Sequence, residues 1–380
     1  MATLLKSTCV HGPIGADIGS SGLRLVQLAR DGGDLTVAQV AAWMLPVEDA
    51  AESPLPEAQV RDRLERLLHR PFRGREVVAA LDVPDVELHL LELPEKVRAL
   101  QPEALARAAA LEIQRLTSLP AEDLLTAVWP LPAGRKSKAS LMGVAGAGNL
   151  VGDRLDVLDS AGLVCTKIDV AACAQAGLVW LLRQCPRDQV WGLLDLGASR
   201  ARLAVCIDDI PVLIRGFDIS GRTWTAEIGR RLGLSPAAAE RYKCDFGLPR
   251  CELPRTRPDA GNGSGQRCDT RQDLARLTAD VLDGDLQRLV VETERSYEFV
   301  MQWDQQRVPG PLIMVGGGAL LPGLDVWLHK RLGVDVQPLG SLDGERVGRL
   351  QDGLRGIVPL EIAALACGLS LQGLDAACPA

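Results

Sequence analysis

Near the start of the chain, apolar and polar positions alternate through three neighbouring stretches. "GADIGSSGLRLVQLARDGGDLTVAQV" (Gly15–Val40) reads as a strand to Asp17, a turn at Gly19–Gly22 and a strand over Leu23–Ala29; a turn at Asp31–Gly33 then leads into a strand over Leu35–Met44. The plan recurs in "LLDLGASRARLAVCIDDIPVLIRGFDI" (Leu193–Ile219). There a strand runs to Asp195, a turn passes through Gly197, Ala198 and Ser199, and strands cover Ala201–Ile207 and Ile210–Phe217 around an Asp208-Asp209 turn. Leu203, Val205 and Ile207 recur at the two-residue period of a strand with one face on a core. An acid-x-Gly-small-Ser turn inside a three-stranded meander, met twice, indicates an internal duplication.

Three further segments complete the pattern. "PLIMVGGGALLPGLDVWLHKRLGVDVQPL" (Pro311–Leu339) predicts a strand over Leu312–Val315, a Gly316-Gly317-Gly318 run, and a helix from near Pro322 to Gly333. Arg271–Met301 carries Leu274, Leu277, Val281, Leu282 and Leu286 at helical steps. Residues 76–150 read as strand (Val77–Leu81), strand (Val86–Leu93), helix (Glu103–Leu116), strand (Leu124–Trp129) and strand (Lys138–Ala145), an inserted α+β unit. Pro249–Thr270 is rich in Pro, Gly and Arg and reads as a surface insertion.

Composition narrows the function. With 380 residues, 47% of them hydrophobic and 24% charged, the chain has the balance of a globular protein of two or three domains. A net charge of -7 argues against nucleic acid, and 3% aromatic residues against stacking platforms. No uncharged apolar run approaches the roughly 20 residues that cross a bilayer, and the first residues are too short in apolar length for a secretory signal. The ten cysteines form no CxxC and the four histidines show no metal-ligand spacing, so the chain reads as cytosolic and without a structural metal.

The two turns have a chemistry of their own. Successive amide N–H groups in a glycine-bearing turn form a nest for phosphate oxygens, and Ser20, Ser21 and Ser199 add hydroxyl donors. Asp17 and Asp195 would repel phosphate unless a hydrated Mg²⁺ lies between, and Arg24 can reach back to the same phosphates. The plainer reading is a hairpin with a hydrogen-bonding aspartate beside it. For the three glycines the alternatives are close passage of a nucleotide and tight strand-to-helix packing.

"DIGSSGLRLVQL", "LLDLGASRARLAV" and "MVGGGALLPGLDVWLHKRLG" resemble the phosphate-1, phosphate-2 and adenosine motifs of the actin-like ATPase superfamily. "VVAALDVPDVELHLLELPE" (Val77–Glu95), "ALEIQRLTSLPAEDLLTAVWPL" (Ala110–Leu131), "LDVLDSAGLVCTKIDVAACAQA" (Leu155–Ala176) and "EIGRRLGLSPAAAERYKCDFGL" (Glu227–Leu248) bring the resemblance closer, to the PilM family of type IV pilus assembly. It implies an α/β, actin-like ATPase fold of duplicated ribonuclease-H-like domains with a small inserted α+β subdomain. Residues 1–75 would open domain 1, 76–150 form the insert and 151–188 the interdomain helix region. Residues 189–380 would form domain 2, with the insertion at 249–270 and a C-terminal helix returning to domain 1.

The resemblance also implies ATP with Mg²⁺. Asp17, Gly19, Ser20, Ser21 and Arg24 would lie on one side, Asp195, Gly197, Ala198, Ser199 and Gly221 on the other, and Gly316, Gly317 and Gly318 against the adenosine. Glu240 and Lys243 would meet ribose and base, although an i,i+3 pair of this kind is usually a solvated surface couple. Asp17 and Asp195 would hold the metal through water. Where relatives tend to carry an acidic residue and a proline, this chain has Ala171 and Ala172, leaving Asp169 and Gln175 to orient a water. Slow or absent turnover is therefore expected. Ser220-Gly221 replaces a common Gly-Gly pair and would narrow the phosphate pocket. The implied function is a cytoplasmic scaffold, peripheral at the inner membrane, docking the N-terminal peptide of a PilN-like membrane protein, with self-association left open. The chain ends without a basic amphipathic membrane helix, so membrane association would come from that partner. The alternatives are a sugar-type kinase of the same superfamily and a nucleotide-free scaffold.

Overall fold

The computed structural model describes residues 9–48, 55–132, 140–183, 189–250, 270–303 and 307–375. Most of the Pro–Gly–Arg insertion expected at 249–270 lies outside them.

The first meander forms as its pattern predicts: β1 (Val10–Gly19), β2 (Gly22–Asp31) and β3 (Asp34–Met44) pair antiparallel in sequence. Ser20 and Ser21 form the tip of the first hairpin, closed by the Gly19–Gly22 pair. β4 (Glu76–Leu81) then adds parallel to β1. The chain leaves this sheet to build a small antiparallel one from β5 (Val86–Leu91), β6 (Leu124–Pro130) and β7 (Leu141–Ala147), in the order β5-β7-β6. It returns with β8 (Val164–Val170), parallel to β4, giving a sheet ordered β3-β2-β1-β4-β8.

The second half repeats the plan. β9 (Gln189–Leu196), β10 (Ala201–Ile207) and β11 (Ile210–Phe217) form the meander, and β12 (Val308–Val315) and β13 (Val336–Pro338) add in parallel, ordered β11-β10-β9-β12-β13. Order and sense match strand for strand, so the duplication read from two turns extends to whole sheets. The strand expected over Val77–Leu81 as the first of the inserted unit is instead β4 of the first sheet. Its continuous apolar run Val77, Val78, Ala79 suits a parallel strand covered on both faces, and the insert proper starts after it.

The helices are α1 (Glu57–Leu67), α2 (Glu95–Arg98), α3 (Pro102–Leu116), α4 (Gly148–Ser160), α5 (Ala171–Arg183), α6 (Gly221–Leu232), α7 (Pro236–Phe246), α8 (Thr270–Met301), α9 (Leu324–Leu332), α10 (Glu345–Leu354) and α11 (Leu360–Asp375). α1 and α4 cover one face of the first sheet, where Val60, Leu64 and Leu158 meet Ile14, Leu23 and Val77. α3 packs Ala109 and Ile113 on the small sheet. On the outer face of the second sheet, Leu282, Leu286 and Leu289 of α8 share a core with Leu203, Val205 and Ile207 of β10.

The inner faces of both sheets share one core with α5 and α11. Leu28, Leu178, Trp191, Ala204, Cys206, Ala363 and Cys367 belong to it. β10, read as a strand with one face on a core, is thus buried on both faces: Leu203, Val205 and Ile207 face α8, and Ala204 and Cys206 face the shared inner core. α11 is fastened to the first sheet by Ser370, whose Oγ donates to Pro13 O at 2.6 Å and accepts from Leu28 N at 2.9 Å.

Candidate functional site

A cleft of about 1260 Å³ opens between the two sheets, at the ends of β1, β9 and β12. Asp17 and Asp195 stand at the equivalent ends of β1 and β9, and each is followed by its turn. The turns face each other: Ser20 Oγ donates to Ser199 Oγ at 2.9 Å, across 179 residues of sequence. Arg222, in the first turn of α6, donates to Ser20 O from the opposite half.

Each aspartate has an arginine on the neighbouring strand. Arg24 lies directly opposite Asp17 in the β1–β2 ladder, and its Nη1 donates to Asp17 Oδ2 at 2.9 Å while Nη2 reaches Ser21 Oγ at 2.6 Å. Arg202 lies directly opposite Asp195 in the β9–β10 ladder and donates to Asp195 Oδ2 at 2.6 Å. Arg202 also pairs with Asp82, which follows β4, and donates to Gln175 Oε1. Gln175 Nε2 closes the triangle on Asp195 Oδ2 at 2.9 Å. Burial pushes the Asp195 carboxyl up, against the pull of Arg202 and Gln175.

Beside the second turn, Lys243 of α7 is buried and donates to Glu240 Oε2 (2.7 Å), Thr225 Oγ1 (2.8 Å) and Gly221 O (3.0 Å). This is a polar clasp between α6 and α7, unlike a solvated i,i+3 couple. Burial would raise Glu240, but Lys243 and the hydroxyl of Thr225 outweigh it and hold the carboxyl below its usual range.

Two of the three glycines fit the packing reading. Gly316 has φ +81°, and a Cβ there would stand 2.5 Å from Asp195 Oδ1 and 2.7 Å from Leu196 O. At Gly318 a Cβ would stand 2.7 Å from the Leu196 side chain. Tight packing of β12 beside β9 accounts for both. Gly317 has nothing within 4 Å of the same point, so a side chain there would extend into open space.

Asp17, Gly19, Ser20, Ser21, Arg24, Gln175, Asp195, Gly197, Ala198, Ser199, Gly221, Glu240, Lys243 and Gly316–Gly318 all line the cleft. Asp169 does not; its carboxylate accepts from Gln372 and Lys167 instead, and it leaves the site. Ser220 does not narrow the pocket either. Its hydroxyl caps α6, accepting from Thr223 N at 3.1 Å, as a serine does at a helix start.

Sequence reasoning passed over Arg202, although its signal was present. "DIGSSGLR" and "DLGASRAR" share the spacing D-x-G-x-S-x-x-R, which places Arg24 and Arg202 alike. Arg154 of α4, Arg222 of α6, and Asp82 and Asp85 after β4 also line the cleft, and no local motif marked them.

The family model of the type IV pilus assembly protein PilM matches residues 15–252. Among solved structures, the chain is similar to one described as a PilM-PilN type IV pilus biogenesis complex. The TM-score is 0.72 at 24% identity, over 96% of this chain and 98% of that one. It is also similar to the ethanolamine utilization protein EutJ from Carboxydothermus hydrogenoformans, with TM-score 0.51 and 14% identity, over 95% of this chain and 89% of that one.

Proposed function

Because the chain belongs to the PilM family of type IV pilus assembly proteins and has their actin-like ATPase fold, we propose that it is an assembly scaffold which holds a nucleoside triphosphate in its central cleft. The observation that carries the nucleotide is the meeting of two glycine-bearing turns from opposite halves at Ser20 and Ser199. Turns of this kind aim amide N–H groups at an anion. Arginine guanidinium groups line the same cleft, and in this reading the Glu240–Lys243–Thr225 clasp would meet ribose and base.

The residues do not fit a divalent ion between Asp17 and Asp195. Each carboxylate already accepts from an arginine, and Asp195 from Gln175 as well. ATP is the nucleotide this reading favours, by the family resemblance of the motifs, with slow or absent turnover. Gln175 is committed to Asp195 and Arg202, and Ala171 lines the cleft beside it without a polar group.

The partner in this reading is the N-terminal cytoplasmic peptide of a PilN-like inner-membrane protein. The similar solved complex pairs PilM with PilN and matches this chain over nearly its whole length. No helix among the described residues is long and apolar enough to cross a membrane, so such a partner would supply the inner-membrane attachment. A sugar-type kinase finds no support, since Asp169, its one proposed base, lies outside the cleft.

Calorimetric titration of ATP into the wild type and into Arg222→Glu tests the nucleotide. Saturable binding that weakens about tenfold or more in the variant supports it. Equal, featureless heats from both proteins reduce the chain to a nucleotide-free scaffold. Retention by an immobilised PilN-type peptide tests the partner separately.

A further inference from the structure

We propose that this cleft takes its nucleoside triphosphate without a divalent metal, the protein's own arginines supplying the positive charge. The proposal rests on the nucleotide reading above.

A triphosphate and an aspartate share a site only where a cation stands between them. In this cleft the cation is already built in twice. Arg24, with 5% side-chain exposure, occupies the place opposite Asp17, and Arg202, with 4%, occupies the place opposite Asp195. Arg202 also reaches from the second half to Asp82 in the first, so it meets two carboxylates at once. A hydrated ion entering between these groups would strip a buried guanidinium of its partners, which is strongly unfavourable.

Two further guanidinium groups line the cleft without a carboxylate within 4 Å among the described residues. Arg154 comes from α4 in the first half and Arg222 from α6 in the second. Asp85 and Asp17 act on Arg154 only from beyond ion-pair distance, and burial lowers the Arg154 guanidinium below its usual value. Arg222 has a single backbone acceptor, Ser20 O. Together they present two guanidinium groups with no carboxylate at ion-pair distance among the described residues, at the end of the cleft where the turns meet. Each can also fork two N–H donors onto two phosphate oxygens, the bridging that a metal performs by coordination. Arg24 pairs with Asp17, Arg202 is shared between Asp195 and Asp82, and Arg154 and Arg222 are left to receive the phosphates.

The test is a titration of ATP into the full chain after metal stripping with EDTA, repeated in millimolar Mg²⁺. The expected affinities agree within about threefold, because the charge is protein-borne. Binding that vanishes in EDTA and returns with Mg²⁺ overturns the proposal and leaves the nucleotide reading standing. Binding in neither condition overturns both. A second arm uses Arg202→Gln, which frees Asp195 and Asp82. Its binding is expected to fall about tenfold or more in EDTA and to recover with Mg²⁺, while Arg202→Lys stays metal-independent. If Arg202→Gln binds in EDTA as the wild type does, Arg202 is not the stand-in. Should either variant fail to fold, the wild-type comparison still decides.

Discussion

Arg202 stands directly opposite Asp195 in the β9–β10 ladder and donates to it at 2.6 Å. The pair is one of two copies of the same geometry, the other being Arg24 and Asp17. Replacing one partner leaves the other charge buried. Arg202→Ala is therefore expected to destabilise the protein by about 2–4 kcal/mol. Asp195→Asn with Arg202→Gln should cost less than the sum of the single changes, with a coupling of roughly 1–3 kcal/mol. Urea denaturation of the four proteins measures it, and additive losses would show that the pair does not act as a unit.

Gly316 is held at φ +81° with Asp195 Oδ1 and Leu196 O close by. Gly316→Ala must place a methyl where those atoms are and adopt a backbone that L side chains avoid. A loss of about 1–3 kcal/mol is expected, with weaker ATP binding because Asp195 is displaced. Gly317→Ala, with open space around it, should keep its stability within about 0.5 kcal/mol of wild type. Equal thermal midpoints for wild type and Gly316→Ala would contradict the packing described.

Lys243 joins α6 to α7 through three acceptors. Lys243→Met keeps the apolar stem and removes the bonds, leaving Glu240 with Thr225 and Cys244. The expected cost is about 1–3 kcal/mol, with faster amide exchange over 221–246. Unchanged exchange there would show that the clasp is held by packing alone.

Glu227, on the exposed side of α6, is held at about 2 by hydrogen bonds from Arg230 and Arg231. Its folded value lies below the ordinary carboxylate value, so its stabilising contribution is full above about pH 4.5 and lost as pH falls toward 2. Glu227→Gln should lower the thermal midpoint slightly at pH 7 and converge on the wild type in acid. Parallel melting curves from pH 7 down to pH 3 would rule the contribution out.

Burial pushes the Cys173 and Cys367 thiols up to about 12. At pH 8 their thiolate fraction is on the order of one in ten thousand. Iodoacetamide should label the exposed Cys9 in the native protein and reach Cys367 only after denaturation. Peptide mass spectrometry follows each site, and native labelling of Cys367 would mean that α11 opens readily.

Much of this architecture could be read from local patterns. Both meanders follow from alternation and turn residues, and Gly333 caps α9 where the chain predicts. The failures occur where a residue's role is decided by distant partners. β4 reads as part of the insert by proximity in sequence, yet pairing with β1 and β8 settles it elsewhere. Asp169 reads as a cleft residue by family position, and Gln372, 203 residues away, takes its carboxylate. Arg202 was legible in the repeated spacing with Arg24, but Asp82 as its partner was not, since nothing local joins the end of β4 to the start of β10.

The placement of α11 sets a timetable for the nascent chain. Leu28 waits for Ser370, 342 residues further on, to satisfy its amide. At about 5–20 residues per second, translation takes roughly 17–70 s to deliver it. Throughout that interval the inner surface of the first sheet is without its lid. The first half therefore completes its native packing only after the closing helix has emerged.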